Sequence, residues 1–180
     1  MAGTPASPEA IRILSPTTDG EWHHADVLRT ELKEWDVHES ETFGFTRDEV
    51  TEVFYPGEIR DIRRQSEPPD GCFLLAMDAT LPVGCAAFRR LTSHACEVYD
   101  VYVRPTHRGR RIGSDLMRRL LGAARGAGYD AMCLETAMFM TTAHSLYRSL
   151  HFRVREPYRS IPTRFVEGTM WMECMLRDSE

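Results

Sequence analysis

Basic residues cluster where an apolar, strand-like run of the chain gives way to a helix-like pattern. Residues 101–117 read VYVRPTHRGRRIGSDLM, and no acidic residue lies between Asp100 and Asp115. The basic members of the segment are Arg104, His107, Arg108, Arg110 and Arg111. A helix N-terminus has unpaired N–H groups and a positive dipole, and Gly109 and Gly113 let the backbone approach an anion closely. Several arginines around such a joint favour a multiply charged phosphate ligand.

The charge of the whole chain makes this local cluster informative. The 180 residues carry a formal net charge of −5, so general affinity for nucleic acid is not expected. No stripe of interleaved aromatic and basic residues supports a nucleic-acid-binding module either. The alternative interpretation of the cluster is a solvated, basic helix start. That interpretation is the weaker one, because it leaves the coincidence of glycines and arginines unexplained.

Other motifs for phosphate, metal and nucleophilic chemistry are missing from the sequence. Neither the Walker pattern GxxxxGK[ST] nor the dinucleotide pattern GxGxxG occurs. Neither CxxC nor HExxH occurs, so no metal site is expected, and no Ser-His-Asp set is evident. The five cysteines are scattered among apolar residues, which favours buried, reduced thiols. What remains is the pattern V-x-P-x-x-R-G-x-x-I-G, from Val103 to Gly113.

Hydrophobic periodicity and turn signals predict the elements that position this loop. Helical spacing indicates helices over residues 19–35, 46–54, 112–126 and 141–150, and a TRDE capping box opens the second. Strand-like runs cover residues 10–14, 72–78, 83–91, 95–103, 131–136, 152–155 and 169–177. Residues 37–45 are predicted as a polar connection. Hairpins followed by strand–helix–strand–helix–strand indicate a mixed sheet with helices on its faces.

The chain is predicted to form one domain. Residues 1–9 are rich in Pro, Ala and Ser and predict a flexible tail, whereas residues 10–180 predict a single domain without repeats. No apolar run approaches the roughly 20 residues that cross a bilayer, and the N-terminus lacks the features of a signal peptide. We therefore expect a cytoplasmic protein with no membrane partner.

Three segments in the right order make the sequence similar to the GNAT superfamily of N-acyltransferases. The pattern from Val103 to Gly113 resembles that family's acyl-CoA pyrophosphate loop. AHSLYRSLHF at residues 143–152 resembles its later Ala, Leu-Tyr, Gly-Phe segment, and LPVGCAAFR and EVYDVYVRP resemble its third and fourth strands. The resemblance covers about residues 11–176. It implies an α/β (α+β) fold with a mixed, mostly antiparallel central sheet of about seven strands and helices on both faces.

The resemblance also implies acetyl-CoA as cosubstrate, without a metal. In this family the fourth and fifth strands splay apart, and the pantetheine arm enters the gap. Carried over, the backbone of Val101, Tyr102 and Val103 would pair with the pantetheine amides, and one N–H would polarise the thioester carbonyl. The pyrophosphate would be held by the loop residues Arg108, Gly109, Arg110, Arg111, Ile112, Gly113 and Ser114.

The implied reaction is direct attack of a primary amine on the thioester, through a tetrahedral intermediate. Tyr147 matches the family's helix tyrosine and would protonate the leaving thiolate. Glu97 matches an acidic position of related sequences and is the preferred general base, with Asp100 and Glu135 as alternatives. The competing interpretation is structural: Tyr147 as a core aromatic residue and each carboxylate as a solvated or ion-paired group.

Three positions depart from the family pattern. Arg111 stands where the loop usually has glycine, and His151 stands where the family has the glycine of its Gly-Phe pair. If His151 needs a left-handed backbone, it costs about 1 kcal/mol relative to glycine. Met140 takes the place of an asparagine often found early in the last helix, which would alter a pantetheine contact.

The acceptor is the least determined part of the function. The family shapes its acceptor pocket with the first two helices and the loop before the last strand, here residues 35–55 and 158–168. The acids of the first segment, which include Asp36, could attract a cationic amine, although acids are more often surface residues. We expect a small-molecule amine as partner rather than a protein tail. The alternative is a non-catalytic acyl-CoA-binding regulator or interaction protein, and a homodimer is left open.

Overall fold

Seven strands form one mixed sheet in the computed structural model, which describes residues 10–177. Their order across the sheet is β1-β2-β3-β4-β5-β7-β6, and every neighbouring pair is antiparallel except β4–β5. The strands are β1 (Arg12–Leu14), β2 (Cys72–Asp78), β3 (Leu81–Arg90), β4 (Ala95–Val103), β5 (Ala131–Ala137), β6 (Arg153–Val154) and β7 (Thr169–Met175). The predicted mixed, mostly antiparallel sheet is confirmed. The predicted tail at residues 1–9 lies outside the described residues.

Six helices cover the two faces of the sheet, as predicted. They are α1 (Asp19–Glu41), α2 (Arg47–Phe54), α3 (Ile59–Gln65), α4 (Ile112–Gly126), α5 (Thr141–Ser149) and α6 (Thr163–Val166). Alternate strand residues enter two separate hydrophobic clusters, because successive side chains of a strand point to opposite faces. Leu74 and Phe88 pack with α4 and α5, whereas Phe73 and Leu75 pack with α1, α2 and α3.

The N-termini of α1 and α2 are set by capping boxes. Thr18 accepts from the Glu21 N–H at 3.2 Å, and Thr46 accepts from the Glu49 N–H at 3.4 Å. In each case the glutamate side chain bonds back to the N-cap backbone. The TRDE prediction for α2 is therefore confirmed, since this reciprocal pairing satisfies backbone N–H groups that the helix leaves free.

The helical predictions were incomplete. The segment predicted as a polar connection from residue 37 begins as helix, because α1 continues to Glu41 and buries Val37 and Ser40 in its last turns. Helices α3 and α6 were not predicted. With seven and four residues they are too short for a clear period, and each buries one residue, Ile62 in α3 and Phe165 in α6.

The parallel pair β4–β5 separates part-way along its length. The two strands are in register from Ala95–Ala131 to Val98–Leu134, but both continue beyond that point. At the divergence β4 carries a bulge. Tyr99 is in register with Ala87 and Tyr102 with Cys85, so β4 uses three residue steps where β3 uses two. A bulge bends its strand and increases its twist, so β4 turns away from β5 and a gap opens.

The remaining sequence expectations concern cysteines and membrane segments. All five cysteines are free; four are buried and Cys72 is half-buried, in keeping with the expected reduced thiols. None of the helices within residues 10–177 combines the length and apolar character that crossing a membrane requires.

Candidate active site

A cavity of about 470 Å³ occupies the gap between β4 and β5. Its floor is formed by both strands, and α1, α2 and the segment before β7 close it from one side. The structure brings three of the predicted site residues to this one cavity: Glu97, Val101 and Tyr147. Both segments predicted to shape the acceptor pocket also reach it, through residues such as Phe45 and Arg159.

The predicted phosphate loop joins β4 to α4 with unpaired backbone donors. The first helical hydrogen bond of α4 runs from the Asp115 N–H to the Arg111 carbonyl, at 3.0 Å. The preceding N–H groups, from Arg111 to Ser114, have no hydrogen-bond partner among residues 10–177. Gly109 and Arg111 both have left-handed backbones, with φ of 78° and 63°. Four free donors therefore lie at the positive end of a 15-residue helix.

Two arginine side chains of the loop already have partners within the protein. The Arg110 Nη1 donates to Asp78 at 3.0 Å, which partly neutralises it. The Arg108 Nε donates to the Val103 carbonyl at 3.0 Å, and the guanidinium lies 5.9 Å from the centre of the Trp35 ring. Gly113 packs against α5, since a Cβ added to it would lie in van der Waals contact with Leu146, at 3.4 Å.

The edge of β4 that faces the gap presents the backbone of alternate residues. Tyr102 is in register with Cys85, and the Arg104 N–H bonds to the Val83 carbonyl at 2.9 Å, so both face β3. Because strand residues alternate, Val101 and Val103 direct their N–H and C=O groups to the opposite edge. Of the three backbone contacts expected on β4, the geometry thus makes both peptide groups of Val101 and the N–H of Val103 available to a ligand in the gap, whereas the Val103 carbonyl already accepts from Arg108.

Tyr147 is placed by helix α5 with its ring in the core. The residue is 6% exposed, and its ring packs against Phe152 with 5.9 Å between centroids. Its hydroxyl has no hydrogen-bond partner within the described part of the chain, although the residue lines the cavity. Burial raises the pKa of Tyr147 above its ordinary value. The phenol therefore keeps its proton at neutral pH.

Glu97 lines the cavity from β4, but its carboxylate is already occupied. The residue is 4% exposed. Its Oε2 accepts from the Arg89 Nε at 2.9 Å and Nη2 at 2.7 Å, and its Oε1 accepts from the Tyr158 hydroxyl at 2.8 Å. Three donors therefore occupy both oxygens of this carboxylate and leave little room for a substrate amine.

The two alternative bases are paired with arginines as well. Asp100 stands at the bulge with φ of 52°, and its Oδ2 accepts from the Arg29 Nε at 2.9 Å. Glu135 accepts from the Arg159 Nε at 2.9 Å. Burial raises the pKa of both carboxyl groups, and the facing arginine opposes that rise in each case.

The sequence offered little sign of a fourth carboxylate in the cavity. Asp36, on the unpredicted last turns of α1, is 7% exposed and accepts from the Tyr55 hydroxyl at 2.9 Å. Burial raises the pKa of Asp36 to about 6. The interpretation of the acids in segment 35–55 as surface residues is wrong for Asp36. The signal that could have located it is the helical spacing Leu28, Leu32, Asp36.

No group of three or more His, Cys, Asp or Glu side chains in residues 10–177 is arranged to hold a metal ion. The split mixed sheet, the loop with free N–H groups at its edge and the cavity between β4 and β5 are together the architecture of an acyltransferase. The chain belongs to the acetyltransferase (GNAT) family, whose model matches residues 31–152.

Similar proteins agree with this assignment. An "IAA acetyltransferase" of Azospirillum brasilense is 37% identical over 108 residues, which are 58% of this chain and 70% of the relative. PaiA N-acetyltransferase of Thermoplasma acidophilum, solved in complex with coenzyme A, aligns with a TM-score of 0.66 at 16% identity, over 92% of this chain and 99% of that one. A Salmonella typhimurium protein solved with its cofactor acetyl-CoA aligns with a TM-score of 0.61 at 18% identity, over 96% and 97%. The structural alignments confirm the fold.

Proposed function

We propose that this protein transfers an acetyl group from acetyl-CoA to the primary amine of a small molecule. The observation that carries the proposal is one continuous arrangement: free N–H groups at α4, a free edge on β4, and the Tyr147 residue lining the cavity beyond. The two structures solved with coenzyme A or acetyl-CoA support the choice of cosubstrate. The five free cysteines favour a reducing, cytoplasmic setting.

The residues of the loop fit a diphosphate. Backbone donors of Arg111, Ile112, Gly113 and Ser114 would hold it, and Arg108 would add charge from the side. The N–H and C=O groups of Val101 and the N–H of Val103 lie at an open strand edge, and they suit the amides of a pantetheine arm. Acetyl-CoA supplies a thioester whose carbonyl carbon accepts the amine.

The residues of the chain then have separate tasks. An N–H of Val101 or Val103 would polarise the thioester carbonyl, and preorganised donors of this kind stabilise the developing oxyanion. The Tyr147 hydroxyl would protonate the departing thiolate, since its raised pKa keeps it protonated until then. Glu97 remains the base that the sequence predicts; its three donors make it better suited to fixing Arg89 and Tyr158.

The test is acetyl-CoA-dependent acylation of a panel of amines, amino acids, aminoglycosides and lysine-bearing peptides. Released thiol and the mass of the product are measured together. Acetylated small amines are expected. Activity on peptides alone would contradict a small-molecule acceptor. Binding of acetyl-CoA with no turnover on any member would favour the second candidate, a non-catalytic acyl-CoA-binding protein.

A further inference from the structure

Besides the exposed Glu167, four carboxylates line the cavity, three of them buried and Glu135 half-buried, and they differ in how their charge is balanced. Asp100, Glu97 and Glu135 are each bonded to an arginine, namely Arg29, Arg89 and Arg159. Asp36 differs from the other three. Its partners are the hydroxyls of Tyr55 and Ser40, and no cationic side chain in residues 10–177 forms an ion pair with it.

A buried carboxylate without a cation is costly, and a cationic ligand would remove that cost. We propose that the cavity receives its acceptor as an ammonium ion on an apolar body, and that Asp36 binds the ammonium group and takes its proton. This inference rests on the proposed acetyl transfer, because it assigns the acceptor side of the same site. It gives Asp36 the role of the general base in place of Glu97.

Asp36 stands close to the place where β4 bends away from β5. Its Oδ2 is joined to Tyr55, whose ring lies 5.9 Å from the Arg29 guanidinium, and Arg29 is bonded to Asp100 at the bulge. Asp36 is therefore linked to β4, whose free N–H groups face the gap, through the side chains of Tyr55 and Arg29. An ammonium bound at Asp36 reaches the cavity from the α1 side, opposite the helices α4 and α5.

The surroundings of Asp36 suit proton transfer near neutral pH. The charged and titratable groups that face it are Glu39 on α1 and Tyr55 after α2, with Arg29 and Asp100 beyond the tyrosine ring. Burial dominates and raises the pKa of Asp36 to about 6. A carboxylate with such a pKa is mostly ionised at pH 7, yet basic enough to accept a proton effectively.

The proton balance of the step closes with the residues described. Asp36 takes one proton of the ammonium ion, and the freed nitrogen lone pair forms the C–N bond to the thioester carbon. The C–S bond then breaks, and the sulfur is protonated by Tyr147. The tetrahedral nitrogen loses a second proton, which replaces the one that Tyr147 gave. The third proton stays on the amide, and Asp36 releases its own to solvent.

The apolar body of the acceptor is inferred from the walls of the cavity. Five phenylalanines line it: Phe43, Phe45, Phe54, Phe139 and Phe165. Phe45 stacks on Phe165 with centroids 4.3 Å apart, while Phe43 stacks on Phe139 and is 60% exposed. Aromatic walls bind apolar and aromatic groups, and their faces also attract cations. An arylalkylamine has both features.

The kinetic test uses phenethylamine as acceptor and compares Asp36→Asn with the parent. Asparagine keeps an oxygen for the Tyr55 hydroxyl but cannot take a proton. We expect kcat/KM to fall at least tenfold at pH 7.5. In the parent, kcat/KM plotted against pH should have an acid limb with an apparent pKa of about 6, and this limb should disappear in Asp36→Asn. Glu41→Gln removes an exposed carboxylate from the same helix and should change kcat/KM less than twofold. Parent-like kinetics in Asp36→Asn would overturn the assignment.

Tyr55→Phe provides a second variant with a directional result. It removes a hydrogen bond that stabilises ionised Asp36, so the acid limb should move to higher pH. If the apparent pKa of the acid limb is unchanged in a folded Tyr55→Phe protein, a group other than Asp36 determines that limb. Loss of folding is recognised from the melting curve of each variant.

Calorimetry separates this inference from the proposed reaction. Phenethylamine is titrated into the protein saturated with coenzyme A, where no transfer can occur, and ethanolamine is the polar comparison. We expect phenethylamine to bind at least tenfold more tightly, and Asp36→Asn to abolish most of that binding. Binding through Asp36 without turnover on acetyl-CoA would refute the proposed function alone. Turnover with equal affinity for both amines, or unchanged binding in Asp36→Asn, would refute this inference alone.

Discussion

Tyr147 keeps its hydroxyl proton because its surroundings offer the phenolate no stabilising partner. Replacing it with phenylalanine keeps the ring against Phe152 and removes only the oxygen. If the hydroxyl is the general acid, kcat should fall about 10²–10⁴-fold. The KM for acetyl-CoA and the melting temperature should stay near the parent values. Single-turnover kinetics are the appropriate measurement, since they report the chemical step even when product release limits kcat.

Tyr129→Phe is the matched control for this substitution. Tyr129 is also buried, but its hydroxyl donates to the Asp70 carbonyl at 3.0 Å rather than lining the cavity. We expect it to lose some stability and to keep its single-turnover rate. A Tyr147→Phe protein with the parental rate would remove the hydroxyl from the mechanism.

Asp36 should make stability fall as pH rises through the weakly acidic range. Its pKa is about 6 in the folded chain against 3.8 ordinarily, so between these values the unfolded chain has lost a proton that the folded chain keeps. The free energy of unfolding then decreases with pH, by up to about 3 kcal/mol in total. Asp36→Asn removes this term, so its stability relative to the parent should increase from pH 4 to pH 6 and level off above.

Urea unfolding at a series of pH values measures this difference. Glu156→Gln replaces an exposed carboxyl outside the cavity in the same chemical way and is the matched control. A stability difference between Asp36→Asn and the parent that does not change with pH would contradict the raised pKa of Asp36. The same curves show whether Asp36→Asn is folded at the pH of the activity assay.

Single-residue chemistry was only partly predictable from the sequence. The placement of Glu97, Val101 and Tyr147 around one cavity follows from motifs in the right order. The arginine and tyrosine on Glu97 come from 8 and 61 residues away along the chain, and no local pattern records such pairing. The burial of Asp36 was not predicted for the same reason, since it depends on Tyr55, 19 residues further on.

The C-terminus of helix α5 ends in a left-handed residue that is not glycine. His151 has φ of 67°, its N–H bonds to the Arg148 carbonyl, and the Phe152 N–H bonds to the Tyr147 carbonyl. The sequence comparison anticipated this strain. His151→Gly relieves it and should raise the free energy of unfolding by up to about 1 kcal/mol, or about 2–4 °C in Tm.

Arg148→Gly is the opposing control, on the same helix and to the same residue. Arg148 is exposed within α5, where glycine costs about 1 kcal/mol. Chemical denaturation should therefore give shifts of opposite sign for the two variants. Destabilisation by both would mean that His151 makes a stabilising contact that outweighs its backbone strain.

For the secondary-structure elements, strong hydrophobic periodicity and capping signals were sufficient to predict where a helix begins and ends. Helices α2, α4 and α5 begin and end close to their predicted limits, and the TRDE box forms as written. The end of α1 was placed too early, because its last turns are polar in composition and are held by tertiary burial of Val37 and Ser40. Tertiary contacts of this kind are not recorded in local propensity.

The molecule as a whole should be stabilised by coenzyme A. A ligand that binds only the folded state adds about 2.7 kcal/mol at a concentration of 100 times Kd. Arg108→Glu places a carboxylate beside the proposed diphosphate site, so it should weaken binding at least tenfold and reduce the rise in Tm. Arg118→Glu makes the same charge change at an exposed position further along α4 and should retain the full rise. An unchanged rise in folded Arg108→Glu would contradict the loop assignment.

The arrangement of the whole sheet was predictable because each strand carries its own signal and the family resemblance supplies the order. The depth of the cavity and its contents were not. They depend on how far β4 turns from β5 and on which side chains of α1 and α2 fill the space, and both are set by packing among residues distant in sequence.

The parting of β4 and β5 has a consequence for how the chain meets other molecules. An unpaired strand edge on the outside of a protein invites other chains to add to it, and aggregation follows. Here the unpaired edge of β4 lies inside the fold, flanked by α1 on one side and α5 on the other. A folded protein or a second sheet cannot reach it. A narrow, flexible ligand with peptide-like amide groups can reach it. The interior position of the edge therefore restricts binding by the width of the ligand, before any side chain makes contact.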